Sequence, residues 1–287
     1  LAILIEDSDD PAARLELNVR LAEVYAERLD DRRVAFDTIG AALGENPDNI
    51  DLWDRLTALG EELELLPELA EKLGAAYDDD ALTDELRLDL ARRLAVLYDE
   101  RLGRRDEAER FHRKVLEHDR SNETSFAALE ELYTSSERWD DMLALYRGAL
   151  EDAIGDERRL DLLLKVCFIV DEVKRDVPAA IDAYRAVLEA DPGNHQAVRA
   201  LVVLYEEAER WDDLAGLIED QLAGAQGDEA VQLRYRLGEI AEHFQREPDR
   251  VLRVAAEALV AVDTDERIAY IVVLSAHWSS LPAGGGR

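Results

Sequence analysis

The chain has 287 residues, 47% hydrophobic and 35% charged, with 66 Asp and Glu against 34 Lys and Arg. A formal charge of −32 repels nucleic-acid phosphate and anionic membrane surfaces, which argues against both as partners and favours a basic one. A single cysteine, Cys167, rules out an internal disulfide framework, and no apolar run nears the ~20 residues of a membrane span.

Ala, Leu, Arg and Glu dominate the composition, a mix of good helix formers, and 7 Pro and 15 Gly leave no long internal linker. Lysine is scarce (Lys72, Lys114, Lys165 and Lys174), a usage associated with GC-rich bacterial genomes. The compartment, bacterial cytoplasm or periplasm, stays open.

In chain order, residues 1–7 read much like residues 214–220, so residues 1–10 are expected to be the remnant of a preceding repeat helix. Pro11 opens the first complete helix, where its missing N–H costs little. Leu17, Leu21, Val24 and Tyr25 are expected on one face of that helix, and Ala35, Ile39, Ala42 and Leu43 on the buried face of the next. Asn46-Pro47-Asp48-Asn49 closes the unit, with Pro ending one helix and Asn or Asp capping the following one. The same pattern returns 72 to 73 residues later with Leu94, Leu97, Tyr98 and Ala108. It returns again with Val166, Ile169, Val170, Ala180 and Tyr184, and then with Leu237, Ile240 and Ala241, closed by Asp263-Thr264-Asp265. Between these lie hairpins of a second type. Their first helices carry Trp53, Leu56 and Leu59, then Leu129, Leu132 and Tyr133, then Leu201, Leu204 and Tyr205. Their second helices are expected to start near Leu66, Trp139 and Trp211. Glu137-Arg138-Trp139-Asp140-Asp141, repeated as Glu209-Arg210-Trp211-Asp212-Asp213, marks two of those starts. A self-repeat of this length is the signature of a solenoid. The expectation is seven complete hairpins with a half hairpin at each end, and a flexible tail over 280–287.

The chain resembles a tetratricopeptide-repeat array, whose unit is a pair of antiparallel helices. Leu21-Ala22 with Tyr25, then Ala35, Ala42 and Pro47, follow the family pattern; Val166-Cys167, Ala180, Tyr184 and Pro192 follow it in part, and Trp53 sits at the family's tryptophan position. Glu130 and Val202 depart from it at a site that is usually small. The resemblance implies an all-α, right-handed α-solenoid of antiparallel hairpins, a TPR-like superhelix over residues 11–279. It also implies that ligands lie against the first helix of each hairpin, in a concave groove.

No residue pattern points to catalysis. Cys167 shares its position with Ala22, Ala95 and Gly238, a row of small residues where helices meet closely, so a buried structural thiol is expected. His112, His118, His195, His243 and His277 show no i, i+4 pair and no accompanying Cys cluster, so no metal site and no cofactor is expected. No Gly-rich phosphate loop or nucleophile elbow is present, and carboxylates are too abundant for any pair to be singled out. Trp139 and Trp211 are expected to be packing anchors at helix starts, with the following Asp pairs favourable to the helix dipole.

The functional expectation falls on an acidic row at the ends of the first helices: Glu61-Glu62, Asp99-Glu100, Asp171-Glu172 and Glu206-Glu207, with Glu27 and Glu242 as outlying members. Thr134-Ser135 breaks the row, and Arg92 and Arg199 stand isolated on this face. Such a row attracts a basic protein or peptide in a salt-dependent way. The reading is a non-catalytic protein–protein interaction scaffold. Its alternative is a repeat or regulatory segment of a larger enzyme or transcriptional regulator whose active domain lies elsewhere. The apolar helix carrying Ile268, Ile271, Val272, Val273, Leu274 and Trp278 is expected to stack on further repeats or on a second copy.

Overall fold

The computed structural model describes residues 4–5, 8–80, 82–153 and 155–240. Among these the chain is entirely helical: α1 (Pro11–Arg28), α2 (Arg32–Glu45), α3 (Ile50–Glu62), α4 (Leu66–Tyr77), α5 (Asp84–Val96), α6 (Arg105–His118), α7 (Glu123–Ser135), α8 (Trp139–Glu151), α9 (Asp156–Phe168), α10 (Val177–Ala190), α11 (His195–Glu207), α12 (Trp211–Gly224) and α13 (Gly227–Ile240). Wider π-helical turns, Leu97–Leu102 and Ile169–Val173, extend α5 and α9. Successive helices pair as α-solenoid hairpins. Those of α1 to α8 form one compact unit, Leu1–Asp152, and the rest belong to a second, Ala153–Arg287. Six complete hairpins and α13 are thus described. Ala241, the Asp263-Thr264-Asp265 turn, the apolar helix at Ile268 to Trp278, the 280–287 tail, Glu242, His243 and His277 lie outside the described residues, as does much of 1–10.

The boundaries follow local chemistry. Asn49, Asn122 and Asn194 each turn a side-chain oxygen onto a backbone N–H in the first turn of α3, α7 and α11, at 3.1, 2.9 and 3.1 Å. Such caps contribute about 1 kcal/mol each. Pro11 sits in the first turn of α1 and Pro67 in that of α4. The turns inside the hairpins come in two kinds. In the first, the N–H groups of Asp31, Arg104 and Asp176 reach six residues back to the carbonyls of Tyr25, Tyr98 and Val170, each at 2.9 Å. In the second, Leu65, Arg138 and Arg210 reach five residues back to Gly60, Tyr133 and Tyr205, at 2.8, 2.9 and 2.8 Å. Both kinds pass through one left-handed residue, and only Gly103 among the six is glycine; Asp30, Glu64, Glu137, Arg175 and Glu209 hold φ of 52 to 57°.

Within the first unit one core runs from Ala22 to Val115, with Phe36, Leu52, Trp53, Leu56, Leu69 and Leu90 at 0% exposure. The packing face of α1 is shifted from the expected one. Ala22 is its only buried residue, and Leu15, Val19, Tyr25 and Ala26 pack around it, while Leu17, Leu21 and Val24 are half-buried. A small side chain at the crossing lets α2 approach, which moves the centre of the face from the leucines to Ala22. Glu130, too large for the usual small site, fits because its carboxylate accepts from Tyr146 Oη at 2.6 Å.

Candidate functional site

The repeat register sorts the acidic row into two. Five residues past the small site (Ala22, Thr57, Ala95, Cys167, Val202) stand Glu27, Glu62, Glu100, Glu172 and Glu207; the residues before them are Ala26, Glu61, Asp99, Asp171 and Glu206. The structure treats the two sets differently.

In the second set, arginines from the next first helix neutralise the glutamates: Arg101 Nη1 donates to Glu61 at 2.8 Å and Arg236 Nη2 to Glu206 at 2.5 Å. The same reach back along neighbouring first helices joins Arg55 to Glu23 at 3.1 Å and Arg93 to Asp54 at 2.6 Å. Exposed pairs of this kind are worth about 0–1 kcal/mol each, so they set register more than stability. The two aspartates turn onto the second helix of their own hairpin. Asp171 Oδ2 accepts from Tyr184 Oη at 3.0 Å, and burial with this carboxylate pushes the Tyr184 hydroxyl well above its usual range. Asp99 Oδ2 stands 3.6 Å from His112 Nε2.

In the first set, Glu62 pairs with Arg32. Glu27, Glu100, Glu172 and Glu207 are exposed and form no ion pair among the described residues. Arg92, expected to stand alone, instead donates to Asp119 at 2.6 Å. A cleft of about 400 Å³ between α3, α4 and α5 confirms the mixed charge of this face, since Arg92, Arg93 and Arg101 line it together with Glu61 and Glu100. The row is therefore less acidic than the residue list suggested. Its cations come from positions 30 to 40 residues away in sequence, which a count along one helix does not reveal.

His112 is the polar group that sequence reasoning missed. It is 3% exposed, its Nδ1 lies 3.1 Å from the equally buried Ser125 Oγ, and its Nε2 lacks a hydrogen-bond partner among the described residues. Burial pushes its pKa down, against the opposing pull of Asp99, so the ring is neutral at neutral pH. Asp99, His112 and Ser125 line up in the order of a catalytic triad, but Ser125 is closed off from any substrate, and a nucleophile must reach one. The trio is a packing device. Comparison across repeats carries the signal for it, because Ile39 and Ala26 occupy the places of His112 and Asp99 in the first hairpin.

Cys167 is 1% exposed, and burial pushes its thiol up to about 12, which leaves it inert as a nucleophile. Trp139 and Trp211 are half-buried first residues of α8 and α12. Around them Arg138 and Arg210 lie over the rings of Tyr133 and Tyr205, at 4.9 and 5.4 Å, and donate to Asp141 and Asp213 at 2.8 and 2.7 Å. The repeated Glu-Arg-Trp-Asp-Asp phrase is a turn closure. Among the described residues no helix is long and apolar enough to cross a membrane, and no group of His, Cys, Asp and Glu is placed to hold a metal ion.

The family model of the tetratricopeptide repeat matches residues 90–124 and 125–160, most of one hairpin of each type. No curated protein matches the chain. Among solved structures it is similar to a tetratricopeptide repeat protein from Parabacteroides merdae, at 16% identity over 91% of this chain and 98% of that one, with a TM-score of 0.34. It is also similar to the TPR2AB domain of yeast Sti1 in its complex with pHSP90 (15% identity, 85% and 99% of the two chains, TM-score 0.32). A third is yeast Tom70, at 17% identity over 84% of this chain and 50% of that one, with a TM-score of 0.31. With both hairpin types matched by the family pattern, and the same two hairpins alternating through the described residues, the chain is a tetratricopeptide-like helical repeat protein.

Proposed function

We propose that the chain is a non-catalytic scaffold that takes a basic protein or peptide on the first-helix face. The observation that carries this reading is the register of Glu27, Glu100, Glu172 and Glu207. They recur at one repeat position, are exposed, and have no cation among the described residues, while Glu206 beside Glu207 is neutralised by Arg236 and Asp99 and Asp171 contact the second helices of their own hairpins. In a chain of −32, unpaired carboxylates on the first, third, fifth and sixth hairpins steer a cationic partner, Glu27 and Glu100 in the first unit and Glu172 and Glu207 in the second. Reversal of all four to Lys is expected to weaken a basic partner by about tenfold or more, and wild-type binding is expected to fall steeply between low and high salt. Titration of the partner by calorimetry at two salt concentrations reads both effects. Equal affinity of the wild type and the fourfold variant would remove the acidic row from the function and leave only the scaffold.

A further inference from the structure

Between α6 and α8, over α7, an open slot of about 340 Å³ is floored by Leu116, Phe126, Leu129 and Leu145 and edged by Glu117 and Arg120. The same place in the preceding pair of hairpins, 73 residues earlier, is closed. There Trp53 stands in the position of Phe126, with 0% exposure and its Nε1 donating to Pro47 O at 2.8 Å. Lys72 stands in the position of Leu145; its side chain lies 2.6 to 2.8 Å from where a Cβ on Gly40 would be, with Nζ 5.6 Å over the Phe36 ring. Leu69 and Phe36 also press on Gly60, within 3.1 to 3.2 Å of the Cβ it lacks.

At the α6–α8 junction those close approaches are gone. Arg113 replaces Gly40, Tyr133 replaces Gly60 and Glu109 replaces Phe36. Tyr133 Oη donates to Glu109 at 3.1 Å, Arg113 Nε donates to Tyr133 Oη at 2.8 Å, and Arg138 Nη1 donates to Glu109 at 2.5 Å. Arg113 also reaches Asp141 on α8 at 3.0 Å. This polar strut satisfies its own donors and acceptors, holds α8 away from α6, and leaves the leucine and phenylalanine floor open.

We propose that the slot is a second docking surface, which takes a bulky apolar or aromatic side chain of a protein partner flanked by basic residues. The closed sister junction indicates the occupant: what fills it is an indole and a long aliphatic stem ending in a cation, and these are the groups missing here. At the mouth Glu117 pairs with Lys114, Asp141 with Arg113 and Arg138, and Glu151 and Asp152 with Arg120, so the rim charges balance and the sister junction alone indicates the cation beside the anchor. A volume at the low end of ligand sites suits one anchoring side chain. None of the exposed first-helix glutamates lines the slot, so the surface is independent of them.

Gly148→Leu tests this without endangering the fold. Gly148 lines the slot, nothing lies within 4 Å of the Cβ it lacks, and leucine favours helix over glycine. A random-peptide library displayed on phage is selected on the full chain after depletion on the Gly148→Leu variant. The recovered peptides are expected to pair Trp, Phe or Leu with Lys or Arg. They are expected to bind the variant about tenfold more weakly or worse, as loss of one buried apolar anchor requires, and to bind the Glu27, Glu100, Glu172 and Glu207 reversal variant unchanged. Three results overturn the proposal: no recovered peptide depends on Gly148, the dependent peptides lack the apolar–basic pairing, or they lose binding to the first-helix variant instead. The last of these would place them on the face proposed above, so the two readings fail separately.

Discussion

The first two hairpins and the next two share one register, yet their junctions are made of opposite materials. Ala26, Phe36, Ile39, Leu52 and Gly60 in α1 to α4 become Asp99, Glu109, His112, Ser125 and Tyr133 in α5 to α8. In the second pair these replacements meet one another: His112 with Ser125 at 3.1 Å, Tyr133 with Glu109 at 3.1 Å, and Asp99 with His112 at 3.6 Å. A repeat array tolerates the exchange because each junction touches only its neighbours. The exchange still has consequences. Apolar side chains interdigitate and close the space, whereas polar groups need fixed partner distances and hold the helices apart. The second pair therefore has the α6–α8 slot and a titratable core, whereas the first pair has Trp53 and Lys72 in the place of the slot and apolar side chains in the places of Asp99, His112 and Ser125.

The largest expected effect tests the packing half of this comparison. Trp53→Ala removes a fully buried ring and the hydrogen bond to Pro47 O, and should cost about 4–5 kcal/mol. Phe126→Ala empties a position that already borders the slot and is 9% exposed, so about 3 kcal/mol or less is expected. Urea denaturation of both variants measures the difference. Equal losses would mean that the α6–α8 junction is packed as tightly as its sister.

The titratable half predicts a pH dependence that belongs to the second pair alone. The folded-state pKa of His112 is depressed, so the ring resists a proton that the unfolded chain accepts near pH 6.5. Its contribution is fully present above that value and is lost as pH falls through the lower, folded one. Asp99 opposes the loss without cancelling it. Replacing Asp99, His112 and Ser125 by the Ala, Ile and Leu of the first pair should flatten this branch of the stability curve between neutral and mildly acidic pH. It should also leave stability at neutral pH equal or higher, since both sides of each polar contact are replaced together. Thermal midpoints across that range are the measurement, and a triple variant with the wild-type slope would assign the titration to another group.

These contrasts were legible in the sequence only where they are local. Helix starts at Leu66, Trp139 and Trp211 could be read because Pro, Trp and a following acidic pair act within one turn, and the small row through Cys167 because it recurs in register. The state of the acidic row could not. Glu61 and Glu206 are neutralised by Arg101 and Arg236 on neighbouring helices, and Asp171 is drawn inward by a hydroxyl 13 residues away. Such partners are chosen by the angle at which hairpins stack. The slot is further from view, because it is a difference in volume between two junctions.

The smallest effect concerns what the two pairs have in common. Glu64 closes the α3–α4 turn and Glu137 the α7–α8 turn, both left-handed, with φ of 57° and 54°. A side chain in that conformation costs about 1 kcal/mol or more through the approach of Cβ to the following carbonyl, and glycine avoids it. Glu64→Gly and Glu137→Gly should each stabilise the chain by about 1 kcal/mol, less the extra freedom that glycine adds to the unfolded state. Gly103→Ala, at φ 61° with open space around its Cβ, should destabilise it by a similar amount. The strain is confined to one residue of backbone, so the two Glu→Gly gains should match whether the surrounding junction is apolar or polar. A gain at Glu64 that is absent at Glu137 would mean that the polar strut beside Tyr133, whose carbonyl accepts from Arg138 N at 2.9 Å, already bears on the turn.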